Sequence, residues 1–388
     1  MDWLPRLLSL RIRKSEDAQR VRKVNTSLRT LSLVTCQLLA ANWLAAAEPL
    51  EVVAPPPATM EACSVQSEIY EISTRHLQDR FCAINESSPP FQVNAWTGCR
   101  WERSTIATAL GIASETEQSA APQSTALTID KPTIVYVHGN FMERNNTLER
   151  VRIIDGYLKR KAREDYRLLL FSWPSQREAQ PIRDVYENAE SAEDQALYLA
   201  WILKQLRSQS RVSILAFSFG ARTATGALHL DAGGRIPAMS WSSFESKREI
   251  PYRVGLIAPA IDKTWLDDCG RHQLALSQVS HFVNMYNSKD PVLRRFRFID
   301  RLTRPIAGGF SGFEGLTDAT STFNVTGGAS ENGGLGLSVK QFDCSRAIGS
   351  THSEKSYLGE CPYFQVMIDT LLWNTDDLGQ RICDTAQR

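Results

Sequence analysis

The chain has 388 residues, 43% of them apolar and 22% charged, which is enough to bury the core of one large α/β domain and too apolar for global disorder. Lys and Arg number 44 against 43 Asp and Glu, a formal net charge of +1. That balance gives no electrostatic case for nucleic acid or a strongly anionic surface as partner.

Basic residues are scattered over positions 1–30, and "LSLVTCQLLAANWLAAAE" follows, ending in Ala45-Ala46-Ala47. A basic start, a short apolar run and small residues at the end describe a secretory signal peptide over 1–47, cleaved after Ala47. Gln37 and Asn42 interrupt the run, which is short for a membrane span. An uncleaved membrane anchor is the alternative, and Thr35 before Cys36 disfavours a lipoprotein box. Export places the mature chain outside the cytoplasm, periplasmic or secreted, with no clear membrane partner after cleavage. Besides Cys36 there are seven cysteines, at 63, 82, 99, 269, 344, 361 and 383. None has metal-ligand spacing, so no metal is expected. Disulfides are possible in an oxidising compartment, and an odd count leaves at least one thiol over.

"EPLEVVAPPPAT" opens a Pro-rich linker over 48–65. "SEIYEIST" and "FQVNAWTGCRWERST" then read as antiparallel strands that extend a sheet ahead of the main domain. From Thr133 the pattern alternates. The strands are "TIVYVH", "YRLLLFSW", "RVSILAF", "YRVGLIAPA", "HFVNMYN" and "LSVKQFD". The helices are expected over 143–164, 184–208, the stretch after Ser218, 262–279, 291–303 and "YFQVMIDTLLW". Strand–helix alternation means a mostly parallel sheet with helices on both faces, in one domain over 66–388. The Gly-rich stretch 306–336 is too long for a mere connector and reads either as a lid or as a disordered insertion.

"ILAFSFGARTATGAL", residues 214–228, turns from strand to helix at Ser218. Ala216 and Gly220 are small where a strand end and a helix start nearly touch, which is the G-x-S-x-G nucleophile elbow with Ala in the first slot. Such a turn exposes the serine Oγ and aims the Phe219 N–H at a developing oxyanion. The alternative is a serine that merely caps the helix. A serine nucleophile needs a base. Of six histidines, His352 follows the last strand at the C-terminal edge of the sheet, whereas His76, His229, His272 and His281 lie elsewhere and His138 reads as structural. The carboxylate that would hold the His352 tautomer is Asp290 in "NSKDPVL", with Asp262 after "GLIAPA" as the alternative acid. The loop "HGNF" after the first parallel strand offers the second oxyanion donor, the N–H of Asn140 or Phe141. Cys344 and Cys361 bracket His352, so a disulfide between them would clamp its loop.

"TIVYVHGN", "LLLFSWPSQ", "ILAFSFGAR", "VGLIAPAID" and "NSKDPVL" together resemble the bacterial alpha/beta hydrolases grouped as domain of unknown function 900, and "YEISTRHL" resembles the strand that often opens them. The likeness spans roughly 66–375. It implies an alpha/beta-hydrolase fold, a Ser218–Asp290–His352 triad and an oxyanion hole near Asn140 and Phe219, and says little about substrate. The chain departs from that family in the residues after His138-Gly139 and in Phe219, where Met is common. The expected activity is hydrolysis of a small-molecule or acyl ester through an acyl-enzyme, with no cofactor. Phe141, Trp173, Phe217 and Phe219 would line an apolar acyl site or belong to the core. A noncatalytic binding or scaffold protein on the same fold is the rival, and a disulfide-stapled envelope module is a third reading.

Overall fold

The computed structural model describes residues 65–77, 89–112, 131–176, 181–237, 248, 250–298, 303–316, 320–321 and 336–374. The expected signal segment 1–47 and nearly all of the linker 48–65 lie outside them, as does most of the Gly-rich stretch 306–336.

The strands are β1 (Ser67–Ser73), β2 (Gln92–Trp96), β3 (Trp101–Arg103), β4 (Thr133–Val137), β5 (Tyr166–Ser172), β6 (Val212–Phe217), β7 (Tyr252–Ile257), β8 (Val279–Tyr286), β9 (Thr320–Ser321) and β10 (Leu337–Asp343). The helices are α1 (Ile106–Leu110), α2 (Arg144–Lys159), α3 (Pro181–Asp194), α4 (Ala196–Gln205), α5 (Gly220–Asp231), α6 (Gly308–Ser311), α7 (Ser345–Ile348), α8 (Glu354–Gly359) and α9 (Phe364–Leu371). Among the described residues the strands form one sheet in the order β3-β2-β1-β5-β4-β6-β7-β8-β10-β9. The central strands β4, β6 and β7 are buried along their whole length, as continuous apolar runs must be when both faces are covered.

Right-handed crossovers explain the two helical layers. The step from β4 to β5 runs one way along the sheet, and the steps from β5 to β6 and β6 to β7 run the other way. Helix α2 therefore covers one face and α3, α4 and α5 the opposite one. Helix α9 joins α2, with the rings of Tyr157 and Phe364 meeting edge-on at 5.5 Å. On the far layer the Thr223 hydroxyl donates to the Ala192 carbonyl at 2.5 Å. Helix α4 is buried without a break from Ala196 to Leu203, sandwiched between α5 and Phe91.

Four expectations change. β1 is antiparallel to β2 but runs parallel to β5 over seven residues, so it belongs to the parallel sheet, and β2 and β3 are the antiparallel extension at that edge. The helix expected over 184–208 is two helices that meet at Gln195, whose side chain accepts from the Thr74 hydroxyl at 2.6 Å. Residues 262–278 form turns rather than a helix. The Asp262 carboxylate closes a tight turn onto the Thr264 N–H at 2.8 Å, and the His272 N–H reaches back to the Trp265 carbonyl at 2.8 Å. Residues after Asp290 form a 3₁₀ helix, Leu293–Phe298.

The start of the Gly-rich stretch is packed rather than loose. Gly308 and Gly309 are buried, and a Cβ on Gly309 would sit 2.5 Å from the Pro259 nitrogen. That close approach lets the Gly309 N–H donate to Pro259 (2.9 Å) and its carbonyl accept from Asn287 (2.9 Å). The glycine pair thus ties the exit of β7 to the exit of β8.

Candidate active site

The helix after β4 and the helices after β5 and β6 lie on opposite faces, so a crevice opens between the C-terminal ends of β4 and β6. Ligand sites of open α/β sheets form at such switch points. The loop 138–142 stands on one side of this crevice and Ser218 on the other.

Ser218 has φ 51, a left-handed backbone that a non-glycine residue holds only when its surroundings impose it. Its N–H donates to the Ile257 carbonyl at 3.0 Å, and its own carbonyl accepts from Ala221 and Ala260, each at 3.1 Å. The elbow is therefore pinned by the end of β7 as well as by its own helix. Gly220 follows because α5 starts directly against β4. A Cβ there would lie 2.6 Å from the His138 carbonyl oxygen and closer still to that of Val137.

The three residues read from the sequence meet here. Ser218 Oγ is 3.0 Å from His352 Nε2, and His352 Nδ1 is 2.6 Å from Asp290 Oδ2. Asp290 is fully buried, Ser218 is 2% exposed and His352 is 8% exposed. The other oxygen of Asp290 accepts from the N–H groups of Val292 (2.8 Å) and Leu293 (2.9 Å). Asp290 thus caps the 3₁₀ helix while facing the imidazole, which fixes its rotamer. Asp262 is occupied elsewhere. One oxygen accepts from the Thr264 N–H and hydroxyl, and the other from the Ile306 N–H at 3.1 Å.

The acid and histidine loops are stitched to each other. The Asn287 amide donates to the carbonyls of Gly349 and Thr351, both at 2.9 Å. Ser350 Oγ donates to the Lys289 carbonyl at 2.9 Å, and Ser288 Oγ donates to Asp343 at 2.7 Å. Cys344 and Cys361 are disulfide-bonded, with Cα atoms 6.0 Å apart, and their loop encloses His352. Two residues after His352, the buried Glu354 accepts from Tyr136 and Arg150, both at 2.9 Å. Burial raises its carboxyl pKa, against the opposing pull of Arg150 and Tyr136.

His138 is a structural residue, as the sequence suggests. Its ring stacks on Trp173 with centroids 5.4 Å apart. Nε2 accepts from the Trp173 N–H at 3.1 Å, leaving Nδ1 to donate to the Gly139 carbonyl at 2.8 Å. Burial, with Arg75 adding to it, pushes its pKa well below the usual imidazole range, so it is neutral. Phe141 has φ 56. The aromatic residues divide: Trp173 and Phe219 are wholly buried and belong to the core, while Phe217 is 8% exposed and its ring lies 5.3 Å from that of His352.

The residues that hold these loops, Arg75, Asn287, Asp343 and Glu354, escape the sequence reading. Arg75, Asn287 and Asp343 are ordinary polar residues at or just after strand ends and Glu354 is the first residue of α8, and only a long-range partner makes each informative. Among the described residues no group of three or more His, Cys, Asp or Glu side chains is arranged to hold a metal ion, and no described helix is long and apolar enough to cross a membrane.

The strand order, the crossovers and the elbow after β6 define an α/β-hydrolase fold. No family model matches the chain, and no curated relative matches it. Among solved structures it is similar to esterase B from Lactobacillus rhamnosis with a C4-C4 SN3 tributyrin phosphonate, at 11% identity over 91% of this chain and 97% of that one, with a TM-score of 0.34. The C6-C4 SN3 inhibited form of the same esterase is similar at 12% identity over 92% and 98%, with a TM-score of 0.33. The fold assignment rests on topology, and the resemblance to domain of unknown function 900 on the motif residues alone.

Proposed function

We propose that the protein is an exported serine hydrolase that cleaves a carboxylic ester through an acyl-enzyme. The observation that carries this reading is the unbroken relay from Ser218 through His352 to Asp290, at 3.0 and 2.6 Å, beneath a left-handed elbow.

The chemistry follows from the atoms. Asp290 Oδ2 accepts the Nδ1 proton of His352, which leaves Nε2 as the lone-pair nitrogen facing Ser218. As Ser218 Oγ attacks the ester carbonyl, its proton passes to Nε2, and Asp290 stabilises the imidazolium. The carbonyl oxygen becomes an oxyanion beside the Phe219 N–H at the start of α5 and an N–H of the 140–141 loop. The imidazolium then protonates the leaving alcohol. Water, deprotonated by the same nitrogen, releases the acid. An intramolecular disulfide around His352 supports an oxidising compartment, in agreement with a signal peptide over 1–47. Membership of the domain of unknown function 900 family is part of the same proposal.

The test is a fluorophosphonate probe on mature protein from Glu48 onward, with a Ser218→Ala variant alongside. Labelling of the first alone is the expected result, and p-nitrophenyl esters of graded length then rank acyl size. A folded wild type that takes no label would favour the noncatalytic reading. Amino-terminal sequencing of the exported chain checks for a start at Glu48.

A further inference from the structure

We propose that Arg75, in the turn after β1, is a positioning residue that fixes the Asn140 N–H as the second oxyanion donor by way of His138. The inference rests on the hydrolase reading above and adds to it a residue from the exit of β1.

The guanidinium of Arg75 joins three strand exits. Nε donates to Ser172 Oγ at 2.8 Å and Nη1 to Gln176 Oε1 at 3.4 Å, both at the exit of β5. Nη2 donates to His138 Nε2 at 3.3 Å and to the Met142 carbonyl at 2.8 Å. One nitrogen thus grips both ends of the loop 138–142, the segment that contains the left-handed Phe141.

The bond to His138 carries directional information. Arg75 Nη2 and the Trp173 N–H both donate to Nε2, so the ring proton sits on Nδ1. Nδ1–H donates to the Gly139 carbonyl at 2.8 Å, which turns that carbonyl toward the imidazole. In a planar trans peptide the N–H lies opposite the C=O, so the Asn140 N–H is turned away from His138. Among the described residues this N–H has no hydrogen-bond acceptor, whereas the Asn140 side chain is held from Asn188 Nδ2 at 2.7 Å. A backbone donor with its peptide plane fixed and no acceptor is what an oxyanion site requires.

The four acceptors of Arg75 are all neutral. Burial lowers its pKa to about 10, with Glu71 opposing, and the group stays protonated at neutral pH. No carboxylate is hydrogen-bonded to this largely buried cation among the described residues, since Glu71 pairs with Arg144 instead, and such a placement is costly. The Trp173 N–H and the guanidinium are both donor-only partners of His138 Nε2, and what the planar guanidinium alone adds is the simultaneous hold on His138, Met142 and the exit of β5.

The experiment uses the full mature chain with Arg75→Ala and Arg75→Lys. Turnover of p-nitrophenyl butyrate and backbone hydrogen exchange over 138–142 are followed in each. For Arg75→Ala we expect kcat to fall about 10²-fold, the scale for losing one oxyanion donor. KM should stay within about threefold, exchange of the loop should accelerate, and millimolar guanidinium should restore turnover about tenfold. Arg75→Lys should recover the thermal midpoint but not kcat, and it decides the matter if the alanine variant does not fold. Unchanged kcat and unchanged loop exchange, or a loss confined to KM, would overturn the proposal. A wild type inactive toward esters and probe, with a loop that still loosens in Arg75→Ala, would overturn the hydrolase reading while leaving Arg75 as the holder of the loop.

Discussion

Gly220→Ala separates the packing argument at the elbow from general tolerance of the fold. The added Cβ would lie 2.6 Å from the His138 carbonyl oxygen and nearer to that of Val137, against an ordinary contact of about 3.4 Å. Both obstacles are backbone at the end of the central strand β4, so no side chain can swing aside. Relief requires α5 to retreat by about 1 Å, carrying Phe219 and its N–H with it. Overpacking of this kind costs about 3 kcal/mol, and a misplacement of about 1 Å at the site costs on the order of 10²-fold in rate. Urea denaturation followed by fluorescence reads the first, and ester turnover the second. Gly156, inside α2 with open space around its Cβ position, is the control. Gly156→Ala should raise stability by about 1 kcal/mol through helix propensity. If Gly220→Ala kept wild-type stability and turnover, the claim that α5 starts in contact with β4 would fail.

Two further outcomes follow from the same geometry. Asp290→Asn should lower kcat by about 10⁴-fold with a normal circular dichroism spectrum, because the Nδ1 proton loses its charged acceptor, whereas Asp262→Asn should change kcat less than about threefold; the reverse ranking would move the acid to Asp262. Burial holds the His272 pKa down at about 4 despite Glu193 beside it, so the unfolded chain takes up its proton first as pH falls. Its contribution to stability is present above pH 6.5 and is lost between there and about pH 4. The destabilisation caused by His272→Gln should therefore shrink by about 2 kcal/mol between pH 7 and pH 5, and urea midpoints showing the same difference at both pH values would refute the assigned shift.

Much of this site is legible in the chain because its signals are local. The change of period at Ser218, with Ala216 before and Gly220 after, records a steric demand met within five residues. His352 follows from elimination, since few histidines are available and topology places the others away from the C-terminal edge. The choice between Asp290 and Asp262 is not local. Both follow parallel strands at the same edge, and what separates them is Asn287 holding the histidine loop across sixty residues of sequence. The turn-forming segment 262–278 misleads because its apolar residues fall at helical spacing. Gly270 packs against the backbone of Thr264 and Trp265, a close approach that no periodicity announces. The parallel pairing of β1 with β5 is invisible for a similar reason: alternation reveals a strand, but its neighbour is set by where the chain returns.

The hydrogen bonds between the Asp290 and His352 loops make acid and base one mechanical body. A displacement of this edge is expected to carry the pair together, keeping the 2.6 Å link and changing the 3.0 Å gap to Ser218. Ser218, fixed by β6, β7 and α5, is the stationary partner. Under the proposed mechanism, the distance from Ser218 to His352 would then set how often the serine is activated, while the tautomer of the base stays fixed.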